Sequence, residues 1–465
     1  MQRATGVDSP GVGDTGGTSP AAEDPRGPLD GFRHGELVED FRLACVSRAL
    51  DDREIALQKQ SRVFFQISGA GHEILLVALA RSLRPAYDWF FPYYRDRALV
   101  LALGVTPREI LLEAVGSSED PASGGRQMPC HWGDAHRNIV TQSSPTGSQC
   151  LPAVGCAEAG RYLARHPGLP GCEMHGDELT YVSLGEGTTS EGEFWESLNT
   201  ACRLHLPVLY VVADNGYAIS VRAADQAPAP VSELVRGFRG LAVSRVDGWD
   251  YAACRNVGGR AVARVRAGEG PGLIHARVTR PYSHSAADSQ AKYRGADELA
   301  RELAHDPIET FERALVRAGV LSEDEAAAVR QEARDTVTAA TDEALRAARP
   351  DPASVTAHVV ALPPAPPGNA ETERDPGADP GDGAEAVVMA AGIGRALHEL
   401  LAADDRIRVF GEDVADADDL VLDDVEGKGG VFGVTKGLQR RFGSARCYNT
   451  PLAESNIVGR GVGQA

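Results

Sequence analysis

Two polar residues each follow an apolar stretch of the chain, and their side chains are of the kind that can hold a metal ion. Glu186 comes just after residues 179–184, and Asn215 comes just after residues 208–212. Magnesium prefers oxygen ligands in a near-octahedral set, to which protein side chains usually contribute one or two and phosphate and water the others. A carboxylate and an amide facing one cavity could therefore hold magnesium with a diphosphate. Taken separately, Gly185-Glu-Gly and Asn215-Gly are also typical of tight turns.

The elements around these two residues predict that they share one crevice. Both apolar stretches have strand patterns, and the segment between them has a helical pattern that starts with a capping box formed by Ser190 and Glu193. This order predicts a βαβ unit. The two parallel strands then end at the same edge of a sheet, where ligands bind. Finding Glu186 and Asn215 at the two strand ends of one unit favours a ligand site over two unrelated turns.

Composition excludes several classes of protein. The chain has 465 residues, of which 43% are hydrophobic and 24% charged, and its net charge is −19. The length predicts at least two domains, and the charge argues against general nucleic-acid binding, which selects for clustered Lys and Arg.

No apolar run approaches the roughly 20 residues that span a bilayer, and we see no signal peptide. We therefore expect a cytoplasmic protein. The eight cysteines are scattered without a zinc pattern, so reduced thiols are expected.

The composition changes along the chain and predicts four regions. Residues 1–36 have the composition of a disordered leader, and residues 37–350 that of a mixed α/β domain. Residues 351–385 are rich in Pro, Gly and Asp and predict a linker, because such a segment buries little apolar surface. Residues 386–465 predict the start of a second α/β domain. Within the first domain, residues 322–349 predict a long amphipathic helix that serves packing.

The two blocks around Glu186 and Asn215 resemble a known cofactor motif. Gly185-Glu-Gly-Thr-Thr-Ser-Glu-Gly, followed by Asp214-Asn-Gly-Tyr-Ala-Ile-Ser, is similar to the thiamine diphosphate motif of the α subunits of 2-oxoacid dehydrogenases. The resemblance implies a parallel sheet flanked by helices and a magnesium ion held by Glu186, Asn215 and the main-chain carbonyl of Tyr217. Many relatives have Asp where Glu186 stands, whereas branched-chain members have Glu. The same motif implies that three further residues bind the cofactor: Gly185, Gly187 and Thr188.

Two further segments match parts of the family that reach the cofactor diphosphate. Phe90-Phe-Pro-Tyr-Tyr-Arg-Asp-Arg implies this role for Tyr94 and Arg95, and a guanidinium can bind phosphate oxygens in a bidentate manner. Without the family context, Arg95 could equally be a surface ion-pair partner. Arg280-Pro-Tyr-Ser-His-Ser-Ala-Ala-Asp contains His284, which the resemblance implies as a diphosphate contact and catalytic residue. The next residue, Ser285, occupies the position that is phosphorylated in mitochondrial relatives.

Two more blocks resemble branched-chain 2-oxoacid dehydrogenases more than pyruvate dehydrogenases. They are Gly125-Arg-Gln-Met-Pro-Cys-His-Trp-Gly and Ser143-Ser-Pro-Thr-Gly-Ser-Gln. In the family, the second block binds potassium and cradles the aminopyrimidine of the cofactor. The resemblance implies that Ser144 and Thr146 lie beside the cofactor, although Thr146 stands where a bulky aliphatic residue is typical. The potassium ligands implied are Ser143, Pro145, Ser148 and Gln149. Taken alone, this block is ordinary loop chemistry.

The residues after the linker resemble the start of the β subunit of the same enzymes. Three blocks occur in the family's order, beginning at Gly411, Gly427 and Asn449. Glu454, in the third block, matches the catalytic glutamate that contacts the pyrimidine ring of the cofactor. Its task is to share a proton with a ring nitrogen, so that the cofactor can be activated. The resemblance therefore implies a complete α-type half fused to part of a β-type half.

The function implied by the resemblance is oxidative decarboxylation of a branched-chain 2-oxoacid, with acyl transfer to the lipoyl group of an acyltransferase component. A pyruvate or acetoin dehydrogenase component is an alternative. The β-type half stops soon after Glu454, before the family's β histidine. We therefore expect self-association or a β-type chain to complete the site, and little activity from these residues alone. An inactive cofactor-binding assembly subunit is a further alternative.

Overall fold

The structure is a computed structural model that describes residues 29–170, 173–359 and 387–465. Residues 1–28 of the predicted leader (1–36) and residues 360–385 of the predicted linker (351–385) lie outside the described residues, whereas Pro352–Thr356 within the linker form a short 3-10 helix. The helices and strands, in chain order, are α1 (His34–Lys59), α2 (Glu73–Ala80), β1 (Trp89–Phe91), α3 (Arg97–Ala102), α4 (Pro107–Val115), α5 (Cys150–Arg165), β2 (Thr180–Gly185), α6 (Gly192–Leu204), β3 (Val208–Asp214), β4 (Tyr217–Ala218), β5 (Val221–Arg222), α7 (Ala223–Gln226), α8 (Val231–Leu234), β6 (Ala242–Asp247), α9 (Tyr251–Arg266), β7 (Gly272–Arg277), α10 (Ala296–Leu303), α11 (Pro307–Arg317), α12 (Glu323–Arg346), α13 (Met389–Ala403), β8 (Val409–Gly411), α14 (Leu438–Phe442), β9 (Cys447–Asn449) and α15 (Glu454–Gln464).

A five-stranded parallel sheet forms the centre of the first domain, with strand order β1-β2-β3-β7-β6. Strands β2 and β3 are neighbours, and Gly185 at the end of β2 lies beside Ala213 near the end of β3. The predicted βαβ unit is therefore confirmed. Because both strands end at the same edge of the sheet, they place Glu186 and Asn215 at that edge.

Helices cover both faces of this sheet. In β3, Leu209 and Val211 pack in one core cluster together with residues of α1, α2 and α9. The alternate residues Tyr210 and Val212 pack in a second cluster with residues of α5 and α6. Side chains alternate across a strand, so a strand buried on both faces must be apolar throughout. This is the physical reason for the continuous apolar run in β3.

Two helix boundaries can be compared with the sequence. Helix α1 begins at His34, ahead of the domain boundary expected at residue 37, and Leu29 before it is already buried in the core. The predicted amphipathic helix corresponds to α12, which Ser322 caps by accepting a hydrogen bond from the backbone of Glu325. Helix α12 packs against α1 and α4, so its role is in packing, as expected.

The capping box predicted at Ser190 and Glu193 is wrong. Residues Glu186–Ser190 form a 3-10 helix, and α6 begins later, after an extended Glu191 whose side chain makes no capping bond. The Ser190 hydroxyl instead lies 3.1 Å from Oε1 of Gln226, to which it donates. The tight turn after β2 thus uses the residues that would otherwise have capped the helix.

The residues after 387 contribute a parallel pair of short strands, β8 and β9, and helix α15. Helix α15 lies close against α5 because glycines face the neighbouring backbone. A Cβ at Gly463 would be 1.9 Å from the carbonyl oxygen of Pro152, and one at Gly155 would be 2.1 Å from that of Arg460. Larger residues at these glycines would push the two helices apart. Within the part of the chain that the structure describes, no helix is long and apolar enough to cross a membrane.

Candidate cofactor and active site

Glu186 and Asn215 lie together at the carboxyl edge of the sheet, as predicted. The backbone N–H of Asn215 donates to Oε2 of Glu186 at 3.3 Å, and both residues are buried. The other side-chain oxygens, Oε1 of Glu186 and Oδ1 of Asn215, are buried without a hydrogen-bond partner among the described residues. Buried polar atoms in proteins are nearly always paired. Two orphaned oxygens side by side are therefore suited to a cation.

The charge of Glu186 depends on what it contacts. Burial and the nearby Asp214 raise the pKa of the Glu186 carboxyl to about 7. Asp214 itself stays ionised, because hydrogen bonds from His275 and the backbone of Gly216 outweigh its burial and hold its pKa below the usual value. A bound cation would hold Glu186 as a carboxylate, since an opposite charge favours the ionised form.

Arg95 and His284 form the other side of the site. Arg95 is buried, and its Nη2 donates to Nδ1 of His284 at 3.0 Å and to the carbonyl oxygen of the same residue at 3.1 Å. Burial, together with Arg95 and Arg280, lowers the pKa of His284 to about 4. A neutral imidazole that accepts at Nδ1 carries its proton on Nε2. His284 therefore presents one N–H donor and leaves the positive charge to the arginines.

The two tyrosines before Arg95 complete this wall. The hydroxyl of Tyr93 donates to that of Tyr94 at 2.8 Å, and the ring of Tyr94 meets the ring of His284 edge-on. A Cβ at Gly185 would lie 2.9 Å from the hydroxyl oxygen of Tyr93. The glycine before Glu186 is thus required for the close approach of β2 to these tyrosines.

Arg280 is a buried residue of this site that sequence reasoning missed. Its Nη2 donates to the carbonyl oxygen of Ile219 and to the hydroxyl of Tyr293, both at 2.9 Å. Its Nε and Nη1 have no partner among the described residues. Ile219 lies in the hairpin that β4 and β5 form just after Asn215, so Arg280 lies beside the segment that carries Asn215. Arg280 is the first residue of the sequence block that contains His284. A second positively charged residue in that block was the signal available in the sequence.

A family comparison agrees with this geometry. Residues 41–353 match the model of the dehydrogenase E1 component, which is more than half of the chain. The chain belongs to this family. Residues 385–465 match the pyrimidine-binding domain of transketolase. The two matches together imply thiamine diphosphate as the cofactor of this E1-family chain, and they confirm the predicted α/β fold class.

Individual relatives come from the branched-chain group. The 2-oxoisovalerate dehydrogenase subunit alpha of Bacillus subtilis (strain 168) is 34% identical over 332 residues, which is 71% of this chain and 97% of the relative. The 3-methyl-2-oxobutanoate dehydrogenase subunit alpha of Mycobacterium tuberculosis (strain CDC 1551 / Oshkosh) is 33% identical over 66% of this chain and 82% of its own length. The mitochondrial 2-oxoisovalerate dehydrogenase subunit alpha of Mus musculus is 29% identical over 71% of each chain.

The remaining motif residues of this E1-family chain lie around Glu186. A Cβ at Gly187 would be 2.5 Å from that of Ala218, so only glycine lets the hairpin approach the 3-10 turn. Thr188 is buried in the same turn, and a Cβ at Gly147 would lie 3.3 Å from its methyl carbon. Tyr217 begins strand β4, and its hydroxyl donates to Glu298 at 3.1 Å. The backbone of Tyr217 thus lies at the same edge as Asn215.

The loop at residues 143–149 is mostly exposed. The hydroxyl of Ser144 lies 3.0 Å from Nε2 of His131, and the backbone of Ser148 donates to the carbonyl oxygen of Pro145 at 3.3 Å. Gln149 is buried and donates through its amide to the carbonyl oxygen of Ser183 at 2.9 Å, which ties the loop to β2. Ser143 and Thr146 are exposed at the loop surface.

Glu454 is the first residue of α15 and is exposed. Its side chain makes no hydrogen bond or ion pair with another residue that the structure describes. Two residues later, the backbone of Asn456 donates to Glu196 on α6 at 2.9 Å, and the Thr200 hydroxyl donates to its side chain at 3.2 Å. These bonds fix the start of α15 against α6. The structure therefore leaves Glu454 accessible and free of competing partners.

The residues present fit a magnesium diphosphate. The described residues contain no group of three or more His, Cys, Asp or Glu side chains that could hold a metal ion by themselves. The orphaned pair at Glu186 and Asn215 supplies two side-chain oxygens, which is the protein share expected when phosphate oxygens and water complete the magnesium set. The unpaired N–H groups of Arg95 and Arg280 supply donors to the anion.

Proposed function

We propose that this chain binds thiamine diphosphate with magnesium and takes part in the oxidative decarboxylation of a branched-chain 2-oxoacid of the 3-methyl-2-oxobutanoate type. The observation that carries the proposal is the pair of orphaned buried oxygens on Glu186 and Asn215. The charge of the buried Arg95 acts on Glu186 and lowers its pKa against the effect of burial. The names of the relatives, 2-oxoisovalerate and 3-methyl-2-oxobutanoate dehydrogenase subunits, support the substrate class.

Each residue at the diphosphate end has a separate task in this proposal. Glu186, Asn215 and the main-chain carbonyl of Tyr217 would hold the magnesium ion. Arg95 would bind a diphosphate oxygen through its unpaired Nε–H, and neutral His284 would add one more donor. Tyr94 lines the same wall. Gly185, Gly187 and Thr188 would border the cofactor from the turn after β2, where the two glycines let Tyr93 and Ala218 pack close to the backbone.

The pyrimidine end would be held by the loop at residues 143–149 and by Glu454. Ser144 and Thr146 would line the ring, and potassium would order the loop through Ser143, Pro145, Ser148 and Gln149. When bound, the cofactor supplies the carbon that adds to a 2-oxo group and takes up the negative charge left by decarboxylation. Glu454 would hold a proton against a ring nitrogen, which is general acid–base assistance worth about 10²- to 10⁴-fold.

The partners in this proposal follow from the same reaction. An E1 component hands its acyl group to the lipoyl group of an acyltransferase component, so we propose a lipoylated partner. We also propose that a second copy or a β-type chain completes the substrate pocket, because correct positioning of the reacting groups contributes roughly 7–11 kcal/mol. Exposed Glu454 is free to meet such a partner.

Calorimetry and a decarboxylation assay test the proposal together. We expect thiamine diphosphate to bind only in the presence of magnesium, and chelation with EDTA to release it. With a β-type chain added, 3-methyl-2-oxobutanoate should lose carbon dioxide faster than pyruvate does. Equal cofactor affinity with and without magnesium would contradict the metal site. A clear preference for pyruvate would contradict the substrate class.

A further inference from the structure

His72 lies in a buried segment between the two arginines of the candidate site. The carbonyl oxygen of Ser68 accepts from Nη1 of Arg95 at 2.5 Å. A Cβ at Gly69 would be 2.9 Å from the carbonyl oxygen of Arg95. A Cβ at Gly71 would be 2.0 Å from the carbonyl oxygen of Thr279, the neighbour of Arg280. These contacts fix residues 68–71 between the loop that follows strand β1 and the loop that follows strand β7. His72 is the next residue and is held in place by them.

The polar atoms around His72 lack partners. His72 is 0% exposed, yet neither ring nitrogen has a hydrogen-bond partner among the described residues. The same is true of Nε of Arg95, Nε and Nη1 of Arg280, and the hydroxyl of Thr279. A single orphaned atom is a local defect of packing, but a cluster of orphaned donors on four residues indicates a shared acceptor with several oxygens.

The protonation state of His72 suits this acceptor. Burial and the charges of Arg95 and Arg280 lower its pKa to about 3, so the ring is neutral at physiological pH. A neutral imidazole has one N–H donor and one acceptor nitrogen. Next to two guanidinium groups, it adds a hydrogen bond without adding a third positive charge. A phosphate-type anion offers the oxygens that this arrangement lacks.

We propose that His72 is a further binding residue for the diphosphate end of the cofactor, to which it donates its N–H beside Arg95 and Arg280. This inference rests on the proposed function, because the anion is that of the proposed cofactor. A space-filling role predicts different behaviour. If His72 only filled space, an apolar side chain of similar size would leave anion affinity unchanged.

The experiment compares three variants of the full chain by calorimetry, with magnesium and either inorganic diphosphate or thiamine diphosphate as the ligand. His72→Leu removes both ring nitrogens, whereas His72→Gln keeps an amide donor and an acceptor. Ile74→Val, in the core of α2, is the matched control for a small packing change. Urea denaturation without ligand measures the stability of each variant. If His72→Leu does not fold, His72→Met replaces it, because its flexible thioether donates no hydrogen bond.

We expect His72→Leu to bind both ligands about 10- to 100-fold more weakly, as for a lost hydrogen bond to a charged group. Its stability without ligand should equal or exceed that of the wild type, because the orphaned nitrogens are gone. His72→Gln should recover most of the affinity, and Ile74→Val should retain it fully. Wild-type affinity in His72→Leu would overturn the inference and leave the proposed function standing. No binding of either ligand by the wild type would overturn both.

Discussion

Arg460 Nη2 donates to Oε1 of Glu158 at 2.7 Å, although 302 positions separate the two residues in the chain. Arg460 is 0% exposed, and Glu158, on α5, is also buried. Their pairing joins the residues matched to the pyrimidine-binding domain to those matched to the E1 component. Burial raises the pKa of Glu158, but the hydrogen bond and charge of Arg460 outweigh it, so the carboxyl stays ionised.

We expect Arg460→Met to destabilise the chain by about 3–5 kcal/mol, because it leaves the Glu158 carboxylate buried without its main partner. Urea denaturation of the full chain measures the effect. The double variant Glu158→Leu with Arg460→Met should lose less stability than the single one. Arg108→Met, in an exposed ion pair with Glu119, is the control and should cost at most about 1 kcal/mol. Equal losses in the buried and exposed variants would contradict the importance of this pair.

Glu186→Ala should weaken magnesium-dependent binding of thiamine diphosphate by at least about tenfold, because it removes a charged ligand of the proposed metal site. Calorimetry at several magnesium concentrations measures the change. Asp225→Asn removes an exposed carboxylate on α7 and should bind as the wild type does. Unchanged magnesium dependence in Glu186→Ala would show that the ion is held elsewhere.

Ser285→Glu should weaken cofactor binding, because it places a negative charge next to His284 in the proposed diphosphate site. Phosphorylation of the same serine would add about two negative charges and have a larger effect. Ser289→Glu adds the same charge to an exposed position of the loop and is the matched control. Equal cofactor affinity in these two variants would contradict the placement of Ser285 beside the diphosphate.

Glu454→Gln should abolish decarboxylation of 3-methyl-2-oxobutanoate in the presence of a β-type chain, while diphosphate binding stays intact. The amide can no longer share a proton with the ring nitrogen, but the residues around Glu186 are untouched. Glu399→Gln, an exposed change on α13, should retain activity. The combined readout of turnover and calorimetry separates a chemical role from a binding role. Full turnover in Glu454→Gln would exclude the residue from the reaction.

Glu113 predicts a pH dependence of stability. Burial and the charge of Asp120 raise its pKa to about 8, whereas in the unfolded chain it is near 4.5. Between these values the folded state holds a proton that the unfolded state has lost. The free energy of unfolding should therefore fall as pH rises from about 5 to 8, with Glu113 contributing up to about 1.4 kcal/mol per pH unit.

Urea denaturation at about pH 5, 6, 7 and 8 measures how the free energy of unfolding changes with pH. These values span roughly the range between the unfolded and folded pKa of Glu113. In Glu113→Gln the slope should be shallower than in the wild type, because the amide does not titrate. Glu343→Gln, an exposed change on α12, should keep the wild-type slope. Other buried acids such as Asp96 also titrate, but they are common to all three proteins. Parallel slopes in wild type and Glu113→Gln would show that the carboxyl is ionised throughout.

The sequence by itself determined the βαβ unit and the positions of Glu186 and Asn215. Both follow from local patterns, because an apolar strand, a crossover helix and a second apolar strand return the chain to one sheet edge. The resemblance to 2-oxoacid dehydrogenases then indicated Arg95 and His284, which the structure brings within 3.0 Å of each other. Family membership was equally readable, since it rests on motifs in the right order.

Only the tertiary structure decided how the rest of the site is assembled. His72 has no local pattern that distinguishes it from a helix-start residue. Its pKa is lowered by burial and by the charges of Arg95 and Arg280, which are distant in sequence. The capping box failed at Ser190 because the 3-10 turn after β2 takes that residue toward Gln226. Burial and distant charges set the pKa of a group such as His72, and the folded chain decides which partner a hydroxyl such as that of Ser190 meets. The spacing of nearby residues in the sequence encodes neither the pKa nor the partner.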